Sequence, residues 1–168
     1  MASKLESKAE SYFRSYFMDA MIAARGNVRD AVRLLAVGAF ESDAGRNRHQ
    51  LDHNNHHGVT AGSQWTGPTF KVGSLVFREY PTDLAAFKDW LAFMKEKFPK
   101  VIYSTTDTDF TENMGNAVAY HGANPDVYTA GVRQYLDYFK KMADTYLLTV
   151  GGAAIGIIIL VGVLSTFD

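Results

Sequence analysis

The chain has 168 residues, of which 17 are Lys or Arg and 18 are Asp or Glu, so its formal net charge is −1. This balance, together with the lack of a long basic stripe, argues against a nucleic-acid partner. The sequence has no cysteine, which excludes disulfide bonds and thiolate metal sites.

Two helices are predicted in the first quarter of the chain. Apolar residues at helical spacing extend over residues 4–24 and end at Gly26, a residue type that often follows a helix end. Asn27 is a suitable N-cap for a second helix, predicted from about Val28 to Ser42. Because this second helix is apolar on most sides, we expect it to be buried.

A loop, a hairpin and two further helices are predicted in the middle of the chain. Residues 46–68 are polar, rich in His and Asn and without periodicity, which favours a loop. Two short strand-like runs predict a β-hairpin over residues 70–80. A strongly amphipathic helix is predicted to start after Pro81 and to stop at Pro99, and a shorter one is predicted over about 110–120.

The last predicted helix is the longest. Asn124 and Pro125 form a strong start signal, and no stop is evident before about residue 165, so we predict a single helix of roughly 60 Å. Its C-terminal part, residues 146–164, is uncharged and mostly apolar, and it is nearly long enough to span a bilayer. We therefore predict two domains, a globular head over 1–144 and a transmembrane anchor over 145–168.

The predicted anchor also implies a membrane localisation. It would be a single-pass membrane protein, in contact with the lipid bilayer through residues 146–164. The N-terminal residues lack the apolar core of a signal peptide, and Lys140 and Lys141 precede the span, so we expect the head to stay in the compartment where it is made. The alternative for this segment is a fully buried core helix, which a domain of this size rarely encloses.

Glu41 is the unusual residue of the second helix, because it follows a largely apolar stretch. Burial and the negative end of the helix dipole would both raise the pKa of its carboxyl group. A carboxylic acid that stays protonated near neutral pH suits a general acid at a glycosidic oxygen. The alternative is an ordinary solvated Glu at a helix end.

Four motifs, in order, resemble those of the bacterial glucosaminidase family of peptidoglycan hydrolases. Segment 41–45, Glu-Ser-Asp-Ala-Gly, resembles the helix-end motif of the family, and segment 54–58, Asn-Asn-His-His-Gly, stands where the family has Asn-Asn-Leu-Phe-Gly. Segment 77–80 resembles a Phe-Arg-x-Tyr element, and segment 120–130 resembles a Tyr-Ala-x-Asp-Pro-x-Tyr-Ala element. The ordered set is much more specific than any one motif.

The resemblance implies a mainly α fold, with a lysozyme-like α+β head that contains a short β-hairpin. It implies that Glu41 is the catalytic acid and that Tyr128 is an important active-site tyrosine. It also implies that Asn54, Asn55 and Gly58 belong to the loop that shapes the substrate cleft.

The chain departs from the family pattern in two places. His56 and His57 replace an apolar pair, and the hairpin has no second carboxylate, Glu79 being the nearest acid. Hydrolysis normally needs a second carboxylate to activate water. Without one, the sugar's own groups could complete the reaction, as in the lytic transglycosylases, which resemble this fold.

Other aromatic and histidine residues have weaker predicted roles. Tyr80 and Tyr120 are candidates for stacking on sugar faces, although packing in the core or at the rim is the commoner role of such residues. His53 and His57 are four residues apart, which would suit zinc on a helix, but the segment is predicted to be a loop. We therefore predict surface histidines and no metal site.

The leading hypothesis is a membrane-anchored glycosidase that cleaves the β-1,4 glycan strands of peptidoglycan without a cofactor. Glu41 would protonate the leaving oxygen, and Tyr128 would steady the developing oxocarbenium ion or position water. Because a head that stays in its own compartment would not meet the cell wall, we predict a bacteriophage lysis enzyme, or one in the internal membrane of a lipid-containing virion with virion proteins as partners. A third option is translocation of the head, directed by the C-terminal segment. The alternatives are a lytic transglycosylase of the same fold and a catalytically inactive structural or sugar-binding module.

Overall fold

The computed structural model describes residues 4–47, 52–119 and 124–164, and side chains for 6–47, 52–119 and 124–148. Six helices and one two-stranded sheet are found in these residues. In chain order they are α1 (Lys4–Ala23), α2 (Val28–Glu41), β1 (Thr69–Val72), β2 (Leu75–Arg78), α3 (Asp83–Lys97), α4 (Pro99–Ile102), α5 (Asp107–Ala119) and α6 (Pro125–Leu164).

Helix α2 lies at the centre of the molecule, as its apolar composition predicts. Every residue from Ala31 to Ala39 is buried, and the helix packs between α1 and α6. Asn27 caps its first turn, with the side-chain oxygen accepting the Asp30 N–H at 3.2 Å. Burying a Val or Leu side chain stabilises the fold by about 1.5–3 kcal/mol, so this helix is held by packing on all sides.

The sheet is a single antiparallel hairpin in which Phe70 pairs with Phe77. Gly73, at φ +59°, provides the left-handed residue of its turn. Because two isolated strands are only marginally stable, the hairpin depends on its neighbours. The Arg78 N–H donates to the Val59 carbonyl at 3.0 Å, and the Tyr80 N–H donates to the His53 carbonyl at 3.1 Å.

The predicted element order agrees with this mainly helical structure and its short hairpin. Two boundaries differ from the prediction. Pro99 ends α3 but also opens α4, since proline is well suited to the first position of a helix. Helix α5 begins at Asp107 rather than near 110, and Thr106 caps it by accepting the Asp109 N–H at 3.0 Å.

The predicted transmembrane anchor, however, is wrong. Among the described residues, no helix is both long enough and apolar enough to cross a membrane. Helix α6 is continuous from Pro125 to Leu164, and its described side chains, up to residue 148, include the charges of Arg133, Asp137, Lys140, Lys141 and Asp144, so they contain no apolar run of that length. The predicted membrane localisation, and the bilayer contact of residues 146–164, are corrected with it. Most side chains of that segment lie outside the described set.

Candidate active site

The site is built around the last residue of α2, Glu41. A tight turn follows it, in which Asp43, Ala44 and Gly45 have φ values of +49°, +56° and +75°. The Ser42 side-chain oxygen closes the turn by accepting the Gly45 N–H at 2.7 Å. The buried helix therefore ends abruptly, and Glu41 is half-buried at its end.

Helix α6 places Tyr128 against Glu41. The Tyr128 hydroxyl donates to Oε1 of Glu41 at 2.5 Å, across 87 residues of sequence. The Tyr128 ring is buried and meets the Phe40 ring edge-on, with centroids 4.9 Å apart. Gly131, one turn further along α6, leaves room for Phe40, because a Cβ there would lie 2.0 Å from Cε2 of that ring. The two residues that the sequence predicts to be catalytic are therefore in direct contact.

The surroundings of this pair raise the pKa of both groups. Burial raises the pKa of the Glu41 carboxyl, and the hydrogen bond from Tyr128 acts in the opposite direction, as the smaller effect. Burial and the nearby Glu41 charge hold the pKa of the Tyr128 hydroxyl well above its ordinary value. Tyr128 therefore remains a hydrogen-bond donor, and Glu41 has the character of a carboxylic acid that can give up its proton.

A cleft of about 300 Å³ opens beside Glu41. The hairpin forms one wall with apolar side chains, and the end of α2 and the loop 54–58 form the rest. The lining residues are Glu41, Asn47, Asn55, Gly58, Phe70, Val72 and Phe77. The Phe70 and Phe77 rings stack on each other at 5.5 Å, so the wall offers an aromatic surface of the kind that packs on sugar rings.

The three predicted cleft residues of the loop have different surroundings. Asn55 is 1% exposed, and its amide donates to the carbonyls of Val59, at 3.0 Å, and Arg78, at 2.8 Å. Asn54, at φ +53°, donates to the Tyr80 carbonyl at 2.8 Å. Gly58, at φ +60°, lines the cleft. The two Asn side chains therefore join the loop to the hairpin, and direct contact with a substrate stays a prediction.

Tyr80, predicted to stack on sugars, is 5% exposed. Its hydroxyl donates to the carboxylate of Asp89 at 2.6 Å, and Arg78 bonds to the same oxygen at 2.7 Å. Trp65 meets the Tyr80 ring edge-on at 5.6 Å. These contacts support the base of the hairpin. Tyr120, the other predicted stacking residue, lies outside the described residues.

The histidines of the loop differ from the prediction of surface residues. His56 and His57 are both buried, whereas His53 is partly exposed and stacks on Phe70 at 3.9 Å. His49 lies outside the described residues. The His57 Nε2 bonds to the Leu34 carbonyl at 3.1 Å, and its ring stacks on Trp90 at 4.5 Å. Burial lowers the pKa of His57 to about 3, so its ring is neutral near pH 7. Across the described parts of the chain, no three His, Asp or Glu residues are grouped so as to hold a metal ion.

A larger cavity, of about 800 Å³, lies at the other end of α2, beside Arg33 and Trp90. Its carboxylate, Asp30, is ion-paired with Arg29 at 3.5 Å. The smaller cleft is the better candidate for chemistry, because it contains a half-buried acid with a hydrogen-bonded partner.

The architecture is that of glycoside hydrolase domains of known structure. The chain is similar to the glycoside hydrolase domain of FlgJ from Salmonella typhimurium, with a TM-score of 0.67 and 19% identity over 88% of this chain and 98% of that domain. It is also similar to the catalytic domain of the autolysin Auto from Listeria monocytogenes, with a TM-score of 0.58 and 13% identity over 83% of this chain and 87% of that one.

A third similar structure comes from a type VI secretion system effector–immunity complex of Pseudomonas protegens, with a TM-score of 0.58 and 15% identity over 80% of this chain and 99% of that one. No protein-family model and no curated protein sequence matches the chain significantly. At these identities the likeness shows a shared fold. The prediction of a glucosaminidase-like peptidoglycan hydrolase fold is confirmed at that level.

Proposed function

We propose that this chain is a glycosidase that cleaves the glycan strands of peptidoglycan, with Glu41 as its general acid. The observation that carries the proposal is the placement of Glu41, in a cleft, half-buried and hydrogen bonded by Tyr128. Burial raises the pKa of this carboxyl group, which favours the protonated form that an acid catalyst needs. The fold shared with a glycoside hydrolase domain and with the catalytic domain of an autolysin supports the choice of substrate.

In this proposal Glu41 protonates the glycosidic oxygen as the bond to the sugar's anomeric carbon breaks. The Tyr128 hydroxyl then stabilises the carboxylate that remains, through its hydrogen bond to Oε1. The Phe70 and Phe77 wall packs against the faces of the sugar rings. General acid catalysis of this kind contributes about 10²–10⁴-fold to a rate.

The small number of carboxylates that line the cleft favours transglycosylation as a second candidate reaction. Of the described residues that line the cleft, Glu41 alone has a carboxyl group. Asp43 is ion-paired with Arg46 at 2.6 Å, and Glu79 pairs with His53 at 3.2 Å. The undescribed segments 48–51 and 120–123 contain no Asp or Glu in their sequences.

With no second carboxylate lining the cleft, water lacks its usual base. The carboxylate of Glu41 would instead accept the proton of the sugar's own C6 hydroxyl as that oxygen attacks C1. The product is a 1,6-anhydro sugar, and no water is consumed. This single-acid route is the lytic transglycosylase alternative for the same fold.

Zymography on purified cell-wall material tests the proposal. Wild type should give a clear band, and Glu41→Gln should lose at least about 10²-fold of the activity. Asp43→Asn is the matched control, because this exposed acid lies two residues away in the same turn and does not line the cleft. If the wild type has no activity, the proposed enzymatic function is refuted and the inactive sugar-binding module is favoured. Full activity in Glu41→Gln would refute the role of Glu41.

Mass analysis of the released fragments separates the two reactions. Hydrolysis in ¹⁸O-labelled water puts label on the new reducing ends, whereas transglycosylation gives unlabelled 1,6-anhydro ends. The predicted bacteriophage setting and virion partners depended on the membrane anchor, so they are not part of this proposal.

A further inference from the structure

Buried polar side chains form a chain of hydrogen bonds behind the turn that follows Glu41. Tyr12 of α1 is 2% exposed, and its hydroxyl lies 3.0 Å from Nδ1 of His56. His56 is 1% exposed, and its Nε2 lies 2.6 Å from a carboxylate oxygen of Asp83, the first residue of α3. These bonds join α1, the loop 54–58 and α3, with the Tyr12 and His56 side chains buried and the Asp83 side chain 30% exposed.

The direction of each bond follows from the acceptor at the end of the chain. A carboxylate of Asp83 only accepts, so Nε2 of His56 carries a proton and donates to it. When this is the only proton on the ring, Nδ1 accepts from the Tyr12 hydroxyl.

Tyr12 lies directly against the backbone on both sides of Glu41. A Cβ at Gly38 would lie 2.6 Å from the Tyr12 hydroxyl oxygen, and a Cβ at Gly45 would lie 3.0 Å from Cδ2 of its ring. Gly38 belongs to the last turn of α2, and Gly45 ends the turn that Ser42 closes. The two glycines therefore leave the space into which the phenol fits.

We infer that Tyr12, held by His56 and Asp83, is a positioning residue that fixes the end of α2 and so the direction in which Glu41 faces the cleft. The inference rests on the proposed function of Glu41 as the general acid. A catalytic group must be held within about 0.5 Å of its productive position, and a displacement of about 1 Å can reduce a rate by about 10²-fold. The glucosaminidase motif has an apolar residue where this chain has His56, so the bond to Tyr12 is a feature of this chain.

Two variants separate positioning from stability. Tyr12→Phe removes the hydroxyl that bonds to Nδ1 of the buried His56, so both Tm and kcat on peptidoglycan should fall. Tyr12→Phe with His56→Leu replaces both partners of this bond by apolar groups, which is often nearly neutral for stability. The Asp83 carboxylate also loses its bond to His56, but this side chain is 30% exposed and can bond to water instead. We expect this double variant to recover most of the Tm while kcat stays about 10- to 100-fold below wild type, with KM changed by less than about threefold.

Tyr16→Phe is the matched control, since Tyr16 lies one turn along α1 and its ring also contacts Tyr12 and His56, at 4.7 and 4.6 Å. It should keep the wild-type kcat. Recovery of kcat together with Tm in the double variant would show that the bond serves stability alone and would overturn the inference.

Hydrogen exchange at the amides of Gly45, Arg46 and Asn47 gives a measurement that does not depend on activity. These amides bond to Ser42, so their exchange reports how firmly the turn is held. It should become about tenfold faster in the double variant, which corresponds to the free energy of about one hydrogen bond, and should not change in Tyr16→Phe. If the wild type cuts no peptidoglycan, the proposed function fails. Unchanged exchange in the double variant would independently overturn the inference that Tyr12 positions the turn.

Discussion

Gly131→Ala perturbs the packing of the site by a single methyl group. The added Cβ would lie 2.0 Å from Cε2 of Phe40, and 2.6 and 2.9 Å from two further atoms of that ring. Carbon atoms in contact are about 3.5–4.0 Å apart, so the ring must move by roughly 1.5 Å. Phe40 precedes Glu41 and packs edge-on against Tyr128, so this movement disturbs the pair on which the proposed chemistry depends.

Two opposing effects set the size of the change in stability. Replacing Gly by Ala inside a helix gains about 1 kcal/mol, whereas overpacking a tight contact costs about 1–3 kcal/mol. The net loss is then about 0–2 kcal/mol, and for a chain of this length each kcal/mol lowers Tm by about 2–4 °C. The effect on kcat should be larger, a fall of about 10- to 100-fold, because geometry and not stability limits the reaction.

Thermal unfolding followed by circular dichroism, and kcat measured well below Tm, provide the assay. Ala130→Gly is the control, because this exposed neighbour on α6 reports the helix-propensity effect alone and should leave kcat unchanged. A Gly131→Ala variant with a higher Tm and wild-type kcat would refute the argument, since Phe40 would then not be confined by α6.

Four further outcomes are expected. In Glu41→Gln, Tm should exceed that of wild type at about pH 7 and match it at about pH 3.5. Burial raises the folded-state pKa of Glu41, so the wild type is destabilised at pH values above the ordinary Glu pKa of about 4.3. An equal difference in Tm at both pH values would contradict this. Tyr128→Phe removes a hydrogen bond that lowers the Glu41 pKa, so the basic limb of kcat/KM should move to higher pH, and a downward shift would count against Glu41 as the acid. Burial lowers the pKa of His57 to about 3, so the stability of the wild type should fall as pH decreases below about 6.5, where the unfolded chain gains a proton. Urea unfolding should show that His57→Phe lacks the loss of stability caused by this proton. Asn55→Ala should lower the free energy of unfolding by about 2–4 kcal/mol, since it removes two buried bonds to Val59 and a part-buried bond to the Arg78 carbonyl. Asn54→Gly, at a left-handed position, should lower it by less than half as much.

The helices and the hairpin could be predicted from the sequence because their signals are local. Asn27 and Thr82 each cap a helix by accepting the N–H of a residue three positions later. The buried character of α2 also follows from its own composition. The anchor prediction rested on the hydropathy of residues 146–164 in the sequence, whereas no helix among the described residues is both long enough and apolar enough to cross a membrane.

The buried histidines could not be predicted, because their partners are remote in sequence. Periodicity identifies a polar segment as loop and thus as surface, yet His56 bonds to Tyr12 and Asp83, which are 44 and 27 residues away. His57 bonds to the Leu34 carbonyl, 23 residues away. A polar side chain can be buried wherever its donors and acceptors are satisfied, and only the folded structure shows that they are.

The loop 54–58 shows why a motif locates a cleft without identifying the residues that touch the substrate. Both Asn side chains bond to backbone carbonyls of the chain from Val59 to Tyr80, and this holds in place a two-stranded sheet that would be marginal alone. Gly58 lines the cleft and has no side chain to offer. Selection for a rigid wall opposite Glu41 would preserve this pattern as strongly as selection for sugar contacts, so substitution of Asn55 should change stability before it changes KM.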